Sequence, residues 1–267
     1  MPLSASRSAS PGELAALLEG PGLAPEEARR RIEGIRTAVA NRSARLGDGN
    51  FGGLAVGDLE LLFVVYDEAF FAGALTRTLG AASDPARRIR FRLAPRMTRA
   101  GGKTFQFRPA RPGGPPTYEI AVSTHLLFSN FHAGQRPVEV NGLPCRDRLD
   151  ALQRIFEHEL VHLAEFLAYR ESSCRAPRFR ALALRLFGHT EAAHGLVTAP
   201  ERARDLHGLR VGDRVVFSFQ GRRCAGVLNR VTKRATVLVE DPLGAPYSDG
   251  KRYCKYYVPL SALDRAT

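Results

Sequence analysis

Residues 158–162 read His-Glu-Leu-Val-His, two histidines four residues apart with a glutamate directly after the first. If this segment is helical, both imidazoles lie on the same face and can bind one Zn²⁺ ion. The intervening carboxylate can then take a proton from a water molecule at the metal. The spacing therefore predicts His158 and His162 as zinc ligands and Glu159 as a catalytic general base.

The residues around this box predict a helix from about Leu149 to Tyr169. Apolar side chains recur with helical spacing and form one face, made by Leu149, Leu152, Phe156, Leu160, Leu163 and Leu167. His158, His162 and Glu165 fall on the opposite side. Glu165 lies about 10 Å along the axis from His158, so it suits a hydrogen bond to a ligand imidazole better than the metal itself.

Composition narrows the class of protein. A net charge of +12 over 267 residues favours an acidic partner, with nucleic acid ahead of an anionic membrane. The four cysteines, at positions 145, 174, 224 and 254, form no C-x-x-C pair, which argues against a disulfide framework and a zinc ribbon. No apolar run is long enough for a signal peptide or a bilayer span. We therefore expect a cytoplasmic protein with no membrane partner.

The chain divides by pattern into three blocks. Residues 1–50 predict a Ser/Pro/Gly-rich tail and a basic helix that starts at Pro25. The helix has a thin apolar stripe, which would dock it on a neighbour without making a core; its members are Ile32, Ile35 and Val39. Several arginines surround the stripe and favour a solvated face over a binding surface.

Residues 51–198 predict a compact α+β domain. It begins with a helix that Asp58 caps, followed by three strands at 89–93, 105–107 and 118–122, with a turn over 109–116. The box helix comes next, and then a helix from Pro177 that Gly188 ends.

Residues 205–267 alternate short strands with turns, which predicts a small all-β barrel of the SH3-like type. We expect strands over 214–219, 224–231, 235–240 and 253–258, with a loop over 242–250.

Several motifs of the middle block, in this order, resemble the SprT-like zinc metallopeptidase family, which is Spartan-related. Residues 66–75, Tyr-Asp-Glu-Ala-Phe-Phe-Ala-Gly-Ala-Leu, resemble the family's opening-helix signature, and residues 97–102 read Met-Thr-Arg-Ala-Gly-Gly after the first strand. Residues 120–123, Ile-Ala-Val-Ser, resemble the strand before the metal box. The resemblance covers roughly half of the chain and implies a zincin-like fold and peptidase activity on proteins associated with or crosslinked to DNA.

The chain departs from the family at the third metal ligand. The family usually has a histidine about a dozen residues past the box, where this chain reads Ser-Ser-Cys-Arg-Ala-Pro over 172–177. Cys174 is the first candidate, because a thiolate binds Zn²⁺ well. His189 is the alternative, His194 follows it, and a site without a third protein ligand also stays open.

The last block resembles KOW or Tudor modules more loosely, through Val211-Gly212-Asp213-Arg214-Val215. Its turns concentrate basic residues, and we expect these to contact nucleic acid; they are Arg222, Arg223, Lys233, Arg234, Lys251 and Arg252. Tyrosines nearby could stack on bases or form the barrel core. Contact with phosphates predicts sequence-tolerant binding, with DNA the expected partner.

Together these patterns predict a zinc-dependent metalloendopeptidase with a nucleic-acid-binding module and a protein substrate. The alternative is a nucleic-acid-associated binding or scaffold protein with a structural or degenerate zinc site. Glu159 favours catalysis, because a structural site does not need this carboxylate.

Overall fold

The computed structural model describes residues 11–80, 88–109, 112–131, 137–192, 195–232 and 234–266, without the side chain of Arg202. The chain has a mixed α and β architecture and divides into two compact units, Met1–Leu196 and Val197–Thr267. Lys233, His194, the first ten residues and part of the turn over 109–116 lie outside the described residues. No helix in the described part of the chain is both long and apolar enough to cross a membrane.

The described part of the first unit contains seven helices. They are α1 (Pro11–Glu19), α2 (Pro25–Arg42), α3 (Val56–Phe71), α4 (Ala74–Gly80), α5 (Thr124–Phe128), α6 (Arg148–Tyr169) and α7 (Pro177–Phe187). Its strands are β1 (Ile89–Leu93), β2 (Gly102–Phe107), β3 (Thr117–Val122), β4 (Val138–Val140) and β5 (Leu143–Cys145). The predicted helices and strands of residues 51–187 are therefore present, with ends shifted by a few residues.

Helix α6 runs through the core of this unit. Asp147 caps its start by accepting hydrogen bonds from the N–H groups of Leu149 and Asp150. Arg170 ends it in a left-handed conformation, with φ of 67°. Sixteen of its 22 residues are buried, so neighbours hold it on nearly every side.

A three-stranded sheet packs beside α6 in the order β1-β3-β2. Strand β1 pairs with β3 in parallel, and β2 pairs with β3 antiparallel. One face of the sheet carries Phe91, Ile120 and Thr104 toward the helices, which sets β2 alongside the middle of α6.

The helices α1 and α2 belong to the first unit, and α2 docks on it through the predicted stripe. The predicted stripe of α2 is buried in the common core, and so are Leu14 and Leu18 of α1. Arg36 is one of the arginines around this stripe that were expected on a solvated face. It is not solvated, because it pairs with Asp147 at 2.5 Å and with Asp150 at 2.7 Å. Helix α2 thus binds the N-terminal end of α6.

One predicted cap was assigned to the wrong position. Asp58 is not the residue before α3; Ala55 is, and the Asp58 carboxylate accepts a hydrogen bond from the Ala55 N–H at 2.7 Å. Ala72 and Gly73, both in the left-handed conformation, end α3.

The second unit contains a short helix and one sheet. Its elements are α8 (Ala199–His207), β6 (Arg214–Phe219), β7 (Arg222–Val231), β8 (Ala235–Pro246), β9 (Arg252–Val258), a 3₁₀ turn (Leu260–Ala262) and β10 (Asp264–Arg265). The five strands are ordered β10-β6-β7-β8-β9. No pairing between β9 and β10 closes the sheet among the described residues of this unit. The loop expected over 242–250 is wrong in part, because β8 resumes pairing with β9 at Ala245 after an irregularity.

Candidate metal centre

Helix α6 presents His158 and His162 on one face, one turn apart. Their ring centroids lie 5.0 Å from each other. Phe179 of α7 packs against both rings, with centroid distances of 4.8 Å to His158 and 4.4 Å to His162. Phe179 thus covers one side of both imidazole rings.

Cys174 lies beside these two histidines. The left-handed Arg170 turns the chain back after α6, and the segment 171–176 returns along the helix before α7 begins. As a result, one ligand atom each of His158, His162 and Cys174 lie within 4.8 Å of one another. The structure thus brings together three residues that the sequence proposed as ligands.

This donor set fits zinc. Two imidazole nitrogens and one thiolate suit Zn²⁺, and three protein ligands leave a fourth position open, as in catalytic zinc sites. Bonds of about 2.1–2.3 Å place tetrahedral ligand atoms about 3.5 Å apart, so closure on a metal needs movements of roughly an ångström. All three residues are half-buried and line one cleft, which lets both metal and substrate enter.

A hydrogen-bonded chain orients His162. Its Nδ1 lies 2.6 Å from the Ser172 hydroxyl, which donates to Glu165 at 2.6 Å. Arg178 donates to the other Glu165 oxygen at 2.8 Å. Because Ser172 donates to a carboxylate, it accepts from His162, which places the proton on Nδ1 and leaves Nε2 as the ligand atom.

The electrostatic environment of His162 favours its ligand form. Burial lowers the pKa of His162 to about 4, so the imidazole is neutral at physiological pH. A neutral imidazole is the form that binds metal.

Glu159 reaches the same cleft from the side that faces β2. Thr104 donates to its carboxylate at 2.8 Å and also bonds its backbone carbonyl at 3.0 Å. Burial raises the pKa of Glu159 to about 7, although the Thr104 hydrogen bond and the charge of Lys103 act in the opposite direction. A carboxyl that titrates near neutrality can both take and return a proton.

Gly102 leaves the space that Glu159 occupies. A Cβ at this position would lie 2.7 Å from a carboxylate oxygen of Glu159 and 2.9 Å from Ile155. A residue without a side chain is therefore required for the observed carboxylate position.

The cleft has a volume of about 570 Å³. Besides the ligand candidates and Glu159, its lining includes Arg99, Lys103, Asn141, Phe166 and Ser172. Its rim is basic beside β2 and its floor is the face of α6.

His189 does not reach the cluster. Its Nε2 bonds the buried Glu157 carboxylate at 2.8 Å. Glu157 also accepts hydrogen bonds from Tyr66 at 2.7 Å and from Arg154 at 3.0 Å. His189 therefore belongs to a buried polar network on another side of α6, and the alternative ligand assignment to His189 is wrong for this geometry.

The basic residues proposed for nucleic acid divide between two ends of the second unit. Strands β6 to β9 are consecutive antiparallel neighbours, so the turns β6–β7 and β8–β9 share one end. Arg222, Arg223, Lys251 and Arg252 lie at that end, whereas Arg234 lies at the β7–β8 turn. Lys251 pairs with Glu240 at 2.7 Å, so its ammonium group is less available to bind a phosphate.

The tyrosines of the second unit also lie in different environments. Tyr256 packs on Phe217 and Phe219, with ring centroids 5.3 and 5.1 Å away, and so belongs to the core side. Tyr257 is 64% exposed. Tyr247 and Tyr253 contact each other at 5.2 Å beside the β8–β9 turn.

Sequence reasoning missed Ser172, Thr104, Gly102 and Arg178 as parts of the site. The double glycine at 101–102, whose second member begins β2, is the sequence signal that could have indicated a close approach to Glu159. The roles of Ser172 and Arg178 depend on the chain reversal after α6, which leaves no pattern in the sequence.

Comparison with known proteins returned no match: no family model, no curated protein and no solved structure is similar enough to the chain to assign it to a family.

Proposed function

We propose that this chain is a zinc-dependent metalloendopeptidase of the SprT-like type. The observation that carries the proposal is the approach of His158, His162 and Cys174 to within 4.8 Å in the cleft that also contains the Glu159 carboxylate. In this proposal the first unit has the zincin-like SprT fold and the second has an SH3-like fold.

The residues of the chain have distinct roles in this reaction. Bound zinc would act as a Lewis acid on a peptide carbonyl and increase the acidity of water. Glu159 takes the proton of the attacking water and returns it to the leaving amine. Thr104 holds the carboxylate by its 2.8 Å hydrogen bond, so the proton moves between fixed positions.

The neighbouring strand suits a peptide substrate. Strand β2 is at an edge of the described sheet, and Lys103 and Thr104 line the cleft. An extended peptide can pair with a free strand edge through main-chain hydrogen bonds.

The second unit is proposed to bind nucleic acid through the Arg222, Arg223 and Arg252 end of its sheet. These side chains are exposed, and guanidinium groups bind phosphates without reading base sequence. Proteins associated with DNA or crosslinked to it are the substrates that the SprT-like resemblance implies.

The test compares Glu159→Gln with the wild type. Glu159→Gln should keep one zinc per chain and lose cleavage of a DNA-crosslinked protein, because an amide cannot accept the proton. Glu171→Gln is the matched control, since Glu171 is exposed on the segment after α6. Cleavage by Glu159→Gln at the wild-type rate would refute the proposed role of Glu159.

The same experiment separates the binding or scaffold alternative. A structural zinc site predicts that wild type and Glu159→Gln both bind zinc and that neither cleaves. Cys174→Ala identifies the third ligand, because it should lower zinc content while His189→Gln should not.

A further inference from the structure

The positive charge of the chain is concentrated in one short stretch of the first unit. Residues 88–122 contain eight Arg or Lys residues and a single acidic residue, Glu119. Their net charge of +7 is more than half of the +12 of the whole chain. This stretch forms β1, β2 and β3, so the charge belongs to the sheet and its connections.

Strand register places part of this charge on the face of the sheet that points away from α6. Arg90 and Arg92 of β1 lie on this face, because Ile89, Phe91 and Leu93 alternate with them toward the core. Arg90 is opposite Glu119, and Glu119 is opposite Phe105 of β2. Lys103 and Phe107 are two residues to either side of Phe105 and share its face.

The side chains of this outer face form a layer of cations on aromatic rings. The Arg90 guanidinium lies 4.9 Å from the centre of the Phe107 ring, and that of Arg92 lies 5.9 Å from Phe105. The Lys103 ammonium lies 4.9 Å from the Phe105 ring. The two phenylalanine rings are 6.1 Å apart and nearly parallel.

Glu119 balances only part of this charge. Its two oxygens pair with Arg90 at 2.9 Å and with Arg92 at 2.7 Å, so one carboxylate serves two guanidinium groups. The Arg90 side chain is still 66% exposed and that of Arg92 is 45% exposed. Their remaining N–H donors can therefore reach an anionic ligand in solution.

A face that only needs to be solvated would not need two phenylalanines beside three cations. Phosphate-binding cations interleaved with aromatic rings are the combination that binds single-stranded nucleic acid, through backbone charge and base stacking. A duplex offers the same phosphates but keeps its bases inside, and an acidic peptide offers charge without planar bases.

We propose that the outer face of the β1-β3-β2 sheet, formed by Arg90, Arg92, Lys103, Phe105 and Phe107, binds single-stranded nucleic acid. Arg90, Arg92 and Lys103 hold phosphates, and the rings with their stacked guanidinium groups receive bases. Lys103 also lines the metal cleft, so the bound strand passes beside the cleft. The proposal is independent of zinc and of peptidase activity.

The test measures binding of a fluorescein-labelled 20-nucleotide oligo-dT to the full chain by anisotropy over a range of salt concentrations. Arg90→Gln with Lys103→Gln leaves Arg92 to pair with Glu119. It should reduce the slope of log K against log salt by roughly 1.4, since each phosphate contact with a single strand contributes about 0.7. Arg42→Gln with Arg45→Gln removes the same charge from exposed positions elsewhere and should leave the slope unchanged.

Stacking is tested by Phe105→Leu with Phe107→Leu, which keeps apolar volume on the sheet. This variant should bind oligo-dT roughly 5- to 160-fold more weakly for each ring that stacks on a base, because such stacking is worth about 1–3 kcal/mol per base. Its salt slope should stay at the wild-type value. Melting curves followed by circular dichroism show that each variant is folded.

Three results would overturn the proposal. The first is wild-type affinity in the Phe105→Leu/Phe107→Leu variant. The second is an equal loss in both charge variants, which would show a general field instead of a site. The third is equal binding of a duplex, or of poly-glutamate of matched charge, which would assign the face to another partner. If the leucine variant fails to fold, the charge variants still decide the outcome.

Discussion

Ser172→Ala should weaken zinc binding without changing any ligand. The Ser172 hydroxyl connects His162 to Glu165, with both distances at 2.6 Å. Its removal leaves the His162 Nδ1–H without this acceptor and lets the ring rotate. Loss of a hydrogen bond behind a metal ligand typically weakens metal affinity about 10- to 100-fold, or roughly 1.4–2.7 kcal/mol.

Glu165 limits the loss of folding stability in Ser172→Ala. Its carboxylate is fully buried but keeps Arg178 as a partner at 2.8 Å. The metal-free protein should lose about 2–4 kcal/mol of unfolding free energy, because the Ser172 hydroxyl makes two hydrogen bonds and one of them goes to a buried carboxylate. The zinc affinity is measured on the folded protein, so the effect on metal binding is separated from the effect on the apo fold.

The assay is competition for zinc against a chromophoric chelator, with urea unfolding of the apo protein in parallel. Ser173→Ala is the matched control, because Ser173 is adjacent and its hydroxyl only accepts a 3.4 Å contact from the Arg175 N–H. A zinc Kd for Ser172→Ala within twofold of wild type would refute the proposed orientation of His162.

Three further predictions concern the same unit. Gly102→Ala should retain zinc but lose most cleavage activity in a peptidase assay, because its Cβ would lie 2.7 Å from the Glu159 carboxylate and displace it. Tyr66→Phe should lower the unfolding free energy by about 1.5–3 kcal/mol in urea titrations, since a buried charged acceptor, Glu157, loses a 2.7 Å hydrogen bond. Burial raises the pKa of Asp150, but its hydrogen bonds from arginine and backbone outweigh this and lower the pKa overall. Its contribution to stability is therefore complete above about pH 4, the unfolded pKa, and lost as the pH falls through the lower folded pKa. Urea midpoints of wild type and Asp150→Asn should differ at pH 7 and converge toward pH 2; a constant difference would contradict this.

Local patterns in the sequence were sufficient to predict α6. Its apolar spacing predicted a start at 149 and an end at 169, and the helix spans Arg148–Tyr169. The box histidines shared a face for the same reason, since helix geometry alone sets their separation. Strands β1 and β3 were also predictable, because apolar and polar residues alternate along β1 and the two strands are bounded by turn residues.

Non-local contacts could not be predicted in the same way. The return of Cys174 to the histidines depends on the left-handed conformation of Arg170. Gly or Asn usually occupies such a position, so the sequence carries no signal for this turn. The sequence predicted that Glu165 bonds an imidazole directly, but Ser172 lies between them. The burial of α1 depends on a surface made by α4 and α6, which no pattern within residues 11–19 indicates.

The position of the cleft follows from how α6 is held on its other sides. Glu157 and Glu159 flank His158, and each lies about 100° around the helix from it. Glu157 is fixed by Tyr66, Arg154 and His189, whereas Glu159 is fixed by Thr104. A rotation of α6 would break one of these buried sets and leave a carboxylate without partners, at a cost of several kcal/mol. The polar residues next to His158 therefore set the angle at which both histidines meet the cleft, so the buried Glu157 network belongs to the architecture of the candidate centre although it binds no metal.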